Sequence, residues 1–225
     1  GKLVESLPGQ HTLVCADLTQ SDDMDKVVAL CRDKSVSMLI NNAGITETGS
    51  FTCASKGAID SVIATNLVAP ITLTQKLIPV LQRASDARVI NIGSTFGSIG
   101  FAYHSLYCAS KFGLRGWTES LMREYSGTNL HFHYFAPRAT QTSINSAQAT
   151  SMNQALGNAV DAPDDVAQSL IDMLNKNQSR RFLGFPEKWF VKINGAFPKL
   201  VDAALKKQLP TIQRYMKARH EEKLS

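Results

Sequence analysis

The chain has 225 residues, of which 44% are hydrophobic and 19% charged, and a formal net charge of +5. This length predicts one domain with an appendage, and the composition is typical of a globular protein. No apolar run approaches about 18 residues, so we expect no membrane-spanning helix, and no signal peptide is visible. The four cysteines lack metal-site spacing, which predicts free thiols and a cytoplasmic location.

The positive charge is concentrated near the C-terminus. Residues 179–225 carry 11 Lys and Arg against four Asp and Glu, whereas the rest of the chain carries 13 against 15. A basic tail alone is not a nucleic-acid footprint, so we expect no nucleic-acid partner. Two histidines, His131 and His133, lie on one predicted strand, but no third ligand accompanies them, and we expect no metal site.

Apolar periodicity predicts strands alternating with helices along the chain. The predicted strands cover residues 11–15, 37–40, 89–92, 130–135 and 181–184. The predicted helices cover residues 22–34, 58–84, 107–125 and a segment from about 161 to 174. This alternation predicts an α/β fold with a parallel sheet. Residues 143–160, rich in small polar residues, are typical of a mobile lid.

Polar residues follow two of these strands. The sequence Asn41-Asn42-Ala43-Gly44 closes one strand, and Ser94 closes the strand that contains Val89 and Ile90. Open α/β sheets bind ligands at the carboxyl ends of their strands, so these residues are candidates for a site.

Tyr107 and Lys111 are four residues apart on a predicted helix, which places both side chains on one face. A phenol has a reference pKa of roughly 10. A nearby ammonium group favours the phenolate and lowers that pKa. The pair is therefore a candidate proton-transfer device for an alcohol or a carbonyl.

The Asn-Asn-Ala-Gly sequence, Asn66, Ser94 and the Tyr107/Lys111 pair, in this order and spacing, resemble the short-chain dehydrogenase/reductase family over about residues 11–184. The resemblance implies a doubly wound parallel sheet of Rossmann type and an NAD(P)-dependent oxidoreductase. It makes Tyr107 the general acid and base, and Lys111 its modulator and a ribose ligand. It makes Ser94 the ligand of the substrate oxygen and Asn66 a bend that holds a relay water. Asn66 has a competing interpretation as a buried amide that is satisfied by the backbone.

The resemblance also implies the residues that contact NADP or NAD: Asp17, Leu18, Asn42, Ala43, Gly44, Tyr107, Lys111, Pro137, Ala139, Thr140 and Thr142. Asp17 has a competing interpretation as a turn or helix-start residue. Arg138 stands where the family has a glycine, so the backbone turn at this position should differ from that of the family. An arginine there could meet an anionic group of the cofactor or the substrate.

The glycine-rich turn that cradles the pyrophosphate in such folds is not found in this sequence. We therefore expect the sequence to begin inside the domain, without its first strand, first helix and second strand. The residue that selects between NAD and NADP belongs to that part. The division expected is a catalytic domain over 1–184 and a basic amphipathic extension over 185–225.

The apolar residues indicate which substrate, oligomer and surface contacts we expect. Aromatic residues between Ser94 and Tyr107 favour a fairly apolar carbonyl or alcohol substrate. Two long apolar helices, with Trp117 close to the interface, favour a homodimer or homotetramer. In the extension, Pro198 and Pro210 should separate short basic amphipathic helices, which either pack on the body or contact a membrane surface.

Two other functions stay open at this point. One is an epimerase or dehydratase of the wider superfamily that retains its NAD. The other is a peripheral membrane or scaffold module with vestigial catalytic residues.

Overall fold

The computed structural model describes residues 9–142 and 147–222. Its centre is a four-stranded, fully parallel sheet in the order β1-β2-β3-β4. The strands are β1 Met38–Asn41, β2 Ala87–Ile92, β3 Leu130–Ala136 and β4 Arg180–Phe182. Each confirms a predicted strand. Successive residues of β2 and β3 are mostly buried, rather than alternately buried and exposed, because both faces of these strands are covered.

Eight α-helices lie before, between and after the strands in the described parts of the chain. They are α1 Ser21–Asp33, α2 Lys56–Ile63, α3 Ala69–Leu81, α4 Ser105–Glu124, α5 Ala147–Ala155, α6 Pro163–Asn175, α7 Glu187–Ala196 and α8 Pro198–Glu222. Residues at the N-terminus determine where two of these helices begin. Ser55 caps α2 by accepting the amide of Ala58, and α6 begins with Pro163 followed by two aspartates.

The helices cover both faces of the sheet. On one face, apolar residues of α1, α3 and α4 pack against Val89 and Phe132. On the other, Met173 of α6 packs against Ile90 and Phe135, which have the opposite parity along their strands. The sheet is therefore doubly wound, as the sequence predicted.

The long helix predicted over 58–84 is present but is interrupted. A π-helical turn, Ala64–Val68, joins α2 to α3 without ending the helical run. Within the described residues, the run Lys56–Leu81 is the one helix long and apolar enough to cross a membrane by composition. Its partners, however, include the sheet and α1, since Leu73, Leu77 and Leu81 are buried in the core. We therefore interpret it as a core helix.

The prediction of a strand over residues 11–15 is wrong. These residues form no strand, and Leu13 and Val14 are exposed, because no strand pairs with them in the described structure. The edge of the sheet is β1 instead, and its Met38 and Ile40 are also exposed.

The extension packs on the body by its inner side. Val191 and Val201 are buried against Ile99, and Ile212 and Met216 are buried against Phe101 and against Cys108 of α4. The break expected at Pro198 is present, because α7 ends and α8 begins there. The break expected at Pro210 is absent: this proline lies inside α8, which continues past it.

Candidate active site

The carboxyl ends of β1 and β2 are tied together by side-chain amides. The Asn41 side-chain amide donates hydrogen bonds to the Asn91 side-chain oxygen at 2.8 Å and to the Thr74 hydroxyl at 3.0 Å. Asn91 in turn donates to the Thr118 hydroxyl at 2.9 Å. This series of hydrogen bonds links both strands to α3 and α4. It therefore fixes the distance between the Asn42-Ala43-Gly44 segment after β1 and Ser94 after β2.

Lys111 lies one helical turn after Tyr107 on α4, as predicted. Its Nζ donates to the Ile92 carbonyl at 2.9 Å and lies 5.7 Å from the centroid of the Tyr107 ring. The Lys111 residue is only 5% exposed. Burial lowers the pKa of its amine from 10.5 to about 8.

Burial raises the pKa of the Tyr107 phenol above 10, and the nearby Ser94 side chain offsets part of this rise. Because burial raises its pKa, Tyr107 is a protonated phenol at neutral pH. Lowering of this pKa by the Lys111 ammonium stays a prediction.

Ser94 itself is fixed by the turn that follows β2. It begins the 3-10 helix Thr95–Gly97, and its hydroxyl oxygen accepts the Phe96 amide at 3.1 Å. The Tyr134 hydroxyl donates to the Ser94 carbonyl at 3.4 Å. Tyr134 is a brace that the sequence reasoning missed. Its place on a buried strand made it look like an ordinary core aromatic.

Asn66 lies in the π-helical turn and is 1% exposed. Its side-chain oxygen accepts the Ile45 amide at 2.8 Å, and its amide donates to the Ile45 carbonyl and to the Ser110 hydroxyl. Helical turns of the π type are frequent at functional sites. Here the turn brings Asn66 against the segment that follows β1 and against α4.

Gly44 shows how closely these parts converge. A Cβ at this position would lie 3.3 Å from the Asn66 side-chain oxygen and 3.7 Å from the Lys111 Nζ. Any side chain there would fill the space between these two groups. Asn42 and Ala43, which precede Gly44, are exposed at the mouth of this space.

The segment after β3 lies beside the Ser94 turn. The Pro137 carbonyl accepts the Thr95 amide at 3.1 Å. Ala139 and Thr140 pair with Asp161 through backbone hydrogen bonds and a bridge, while Thr142 is exposed with its hydroxyl 3.5 Å from the Thr140 carbonyl. Ser94 and this predicted cofactor segment are thus neighbours.

The other two predicted cofactor residues are at the start of α1. The Asp17 carboxylate accepts both the Thr19 amide and its hydroxyl, which lowers the pKa of Asp17. This is the turn role considered for it. Leu18 packs partly buried against the main core. Contact of either residue with an adenine ring stays a prediction.

Aromatic residues lie between Ser94 and Tyr107. Phe96 stacks on Phe101 with centroids 4.8 Å apart and meets the Tyr107 ring edge-on at 6.4 Å. Behind them, Cys108 and Met152 of α5 join Ile212 and Met216 of α8 in one apolar cluster. The contribution of α8 was missed, because nothing in the sequence links residue 212 to residue 101. Of the predicted lid, residues 143–146 lie outside the described residues.

No group of three or more metal-ligating side chains occurs in the described parts of the chain. His133 is buried, with its Nδ1 donating to the Gln178 carbonyl, and His131 lies near Asp86.

Known proteins share this fold. The sequence model described as short chain dehydrogenase matches residues 2–153, about two thirds of the chain. The chain belongs to this family.

Individual relatives of the short-chain dehydrogenase family match over most of the chain. The ketoacyl reductase HetN of Nostoc sp. is 30% identical over 179 residues, which are 78% of this chain and 61% of that protein. The 3-oxoacyl-[acyl-carrier-protein] reductase FabG of Thermotoga maritima is 26% identical over 79% of this chain and 75% of its own length. The chain thus spans less than two thirds of the first of these relatives.

A solved structure supports the fold. The short-chain dehydrogenase of Sphingobium yanoikuyae, in complex with NADPH, superposes with a TM-score of 0.72 at 22% identity, covering 89% of this chain and 79% of that one. Members of the family use NAD or NADP. The residues found here fit the nicotinamide end of such a cofactor. Gly44 places no side chain beside the Lys111 ammonium, and the backbone of residues 137–140 borders the Ser94 turn.

Proposed function

We propose that this chain is the catalytic part of an NAD(P)-dependent oxidoreductase that interconverts an alcohol and a carbonyl on an apolar substrate. One observation carries the proposal. The Ser94 side chain is near enough to the Tyr107 phenol to lower its pKa, and Lys111 lies beside the same ring and beside Gly44. Ser94 and Tyr107 can together bind one carbonyl oxygen.

The state of Tyr107 favours reduction at neutral pH. Its pKa is raised by burial, so the phenol carries the proton that a forming alkoxide needs. Ser94 binds the same oxygen through its hydroxyl and polarises the carbonyl. When bound, the nicotinamide supplies the hydride chemistry. In the oxidative direction Tyr107 takes the proton back.

Lys111 has two roles in this proposal. Its ammonium stabilises the phenolate left after proton transfer, which the reductive step creates beside it, and it binds the ribose of the cofactor. Asn66 holds a water that passes protons to Lys111. Both amide hydrogens of Asn66 are already used by Ile45 and Ser110, so this water meets Asn66 at an acceptor oxygen.

The substrate class follows from the walls of the site. Phe96 meets the Tyr107 ring edge-on, and Phe101 stacks on Phe96. Met152, Ile212 and Met216 are buried in the core behind them. An apolar substrate placed against Phe96 would gain by excluding water from this ring. The two relatives whose names specify ketoacyl compounds are consistent with a carbonyl on an acyl or other apolar body.

The test is a panel of carbonyls and alcohols with NADH and NADPH, followed at the nicotinamide absorbance. We expect reduction of apolar carbonyls and weak activity on small polar ones. Absence of turnover with every compound, in a folded protein that binds either cofactor, would contradict the proposal.

We further propose a homodimer, or a tetramer built from it. Val68 is 50% exposed and Phe112 43% exposed, although they lie on the two helical elements next to the site. Trp117 on the same helix as Phe112 is half-buried. Sedimentation should give a dimer or tetramer at micromolar concentration, and Val68→Glu with Phe112→Glu should give a monomer. A wild-type monomer would contradict this.

The third part of the proposal is a peripheral membrane contact of the otherwise cytoplasmic protein through the extension. Six of the 16 exposed large hydrophobic side chains in the described chain lie within residues 185–200. They are Phe185, Trp189, Phe190, Ile193, Phe197 and Leu200. Such clustering distinguishes this surface from isolated apolar residues, which are normal on any protein.

The helix α7 has apolar residues on two opposite sides. Val191 and Asn194 face the body, since Val191 is buried and Asn194 donates to the Ser98 carbonyl at 2.8 Å. Trp189, Phe190 and Ile193 lie on the outer side. Lys188 and Lys192 are exposed along its edge, with the Lys192 Nζ 5.0 Å from the Trp189 ring centroid. An interfacial helix has this arrangement.

The partner that fits is an anionic bilayer surface. Each Lys near such a surface contributes about 1 kcal/mol of attraction, and the aromatic side chains enter the headgroup region. Since α7 packs on the turn that follows Ser94, a substrate dissolved in lipid would reach the site from this side.

Co-sedimentation with vesicles tests the contact. We expect the full chain to bind anionic vesicles more than neutral ones at low salt, and the variant Trp189→Ser/Phe190→Ser/Ile193→Ser to lose binding. Ile171→Ser, which alters an exposed apolar residue on α6, is the matched control and should bind normally. A full chain that stays in the supernatant with anionic vesicles would overturn this part.

A further inference from the structure

Arg138 is the residue that stands in place of a glycine after Pro137, and its guanidinium is committed to an internal ion pair. Its Nε lies 3.0 Å from both carboxylate oxygens of Asp161, and its Nη2 lies 2.7 Å from one of them. The Asp161 hydrogen bond raises the pKa of Arg138. The anionic partner considered for Arg138, a cofactor or substrate group, is thus provided by the chain itself.

The same guanidinium also contacts the C-terminal extension. Its Nη1 lies 3.3 Å from the Glu187 carboxylate and 3.5 Å from the Phe185 carbonyl. Glu187 is the first residue of α7. The three side chains are only 18–22% exposed. Ion pairs that are this shielded, and bidentate, hold their geometry better than pairs on the surface.

Backbone hydrogen bonds continue this cluster into the predicted cofactor segment. The Asp161 amide donates to the Ala139 carbonyl at 2.9 Å, and the Gln141 amide donates to the Asp161 carbonyl at 2.9 Å. Thr140 and Asp161 form a parallel bridge. Asp161 therefore holds the segment by its backbone while its side chain holds Arg138.

Gly184 shows that the cluster is closely packed. Its φ is +92°, and a Cβ there would lie 2.6 Å from the Glu187 carboxylate and 2.8 Å from the Arg138 Cδ. No side chain fits at this position without separating Arg138 from Glu187. The approach of the extension to Arg138 thus depends on a glycine just before it.

We propose that Arg138 is a positioning residue that couples the C-terminal extension to the segment that binds the nicotinamide. Through Glu187, the docked extension orders residues 137–141, and through Asp161 this order reaches the backbone groups that meet the cofactor. Release of the extension would loosen that segment and weaken cofactor binding without touching Tyr107. The coupling to the cofactor rests on the proposed function; the coupling between the extension and the segment does not.

The test is hydrogen exchange of the cofactor-free full chain with the variant Glu187→Gln. This change keeps the shape of the side chain and removes the charge that faces Arg138. We expect the amides of Gln141 and Asp161 to exchange about tenfold faster, since their local opening becomes easier. The matched control is Asp202→Asn, an exposed carboxylate on α8, which should leave both amides unchanged.

A second variant separates charge from geometry. Arg138→Lys keeps the positive charge but cannot form the bidentate pair, so we expect the same acceleration as in Glu187→Gln. In kinetic assays, Glu187→Gln should raise the cofactor KM by about tenfold with kcat nearly unchanged.

Unchanged exchange at Gln141 and Asp161 in both variants would overturn the coupling. Faster exchange in a protein without any carbonyl or alcohol turnover would support the coupling and refute the proposed function instead. Faster exchange with an unchanged cofactor KM in an active enzyme would overturn the link to the cofactor.

Discussion

The candidate active site, called the centre below, and the C-terminal extension are built in opposite ways. At the centre, hydrogen bonds to nearby backbone groups hold the side chains of Asn66, Lys111 and Ser94. Only a small fraction of each residue is exposed. In the extension, one side of α7 and α8 is packed on the body, whereas the other side presents Trp189 and Leu200 to solvent.

This difference suggests separate roles for the two regions. The buried polar network leaves few alternatives for the residues that would transfer protons, since each unsatisfied partner would cost about 1–3 kcal/mol. The extension meets no such constraint on its outer side. We infer that the centre determines the reaction class, while the extension adjusts the substrate, the cofactor segment and the location.

The largest effect should come from Tyr107→Phe, which removes the transferable proton alone. We expect turnover to fall by about 10²–10⁴-fold, the usual contribution of a general acid. Cofactor binding, measured by fluorescence titration, should change little. Near-normal turnover would show that the centre does not work through this phenol.

Ser94→Ala should come next. Removal of one donor to a developing oxyanion costs about 10²–10³-fold in kcat, and we expect a loss in that range with an unchanged cofactor affinity. The Thr95 amide bonded to Pro137 should keep the turn in place. Loss of cofactor binding in this variant would place the serine elsewhere in the mechanism.

Lys111 makes the free energy of unfolding of the chain depend on pH. Its pKa is about 8 in the folded chain against 10.5 for the free side chain. Between these values the unfolded chain binds more protons, so stability should rise with pH, and the rise from this group is about 3 kcal/mol. Denaturant titrations should give this rise for the wild type relative to Lys111→Met. Parallel curves for both proteins would contradict it.

The smallest effect contrasts the two sides of the extension. Ile212→Val, on the packed side, should lower the free energy of unfolding by about 1 kcal/mol because it leaves a small cavity. Leu200→Val, on the exposed side, should change it little. Chemical denaturation of both variants measures the contrast. Equal losses would mean that the outer side is buried in solution, by a partner or a second copy.

Sequence reasoning located the centre because its residues follow strand ends and helical spacing. Ser94 after β2, and Tyr107 with Lys111 one turn apart on α4, need only local patterns to be placed. The same patterns gave four of the five predicted strands. The fifth, residues 11–15, has apolar residues but no neighbour, and a strand requires one.

The rest depended on contacts that no local pattern contains. The π-helical turn at Asn66 and the burial-raised pKa of Tyr107 arise from tertiary packing. The pairing of Arg138 with Asp161 and Glu187 joins residues up to 49 positions apart. Pro210 was expected to end a helix, yet the packing of Ile212 and Met216 continues α8 past it.

The central claim is that Tyr107 gives a proton to a substrate carbonyl oxygen while the bound nicotinamide reduces its carbon. The most direct measurement is a single turnover with a carbonyl substrate and NADPH or NADH deuterated at the transferring position, followed by mass analysis of the product. The account predicts one deuterium on the carbinol carbon with the wild type and almost none with Tyr107→Phe in the same time. Equal deuterium in both products would contradict it.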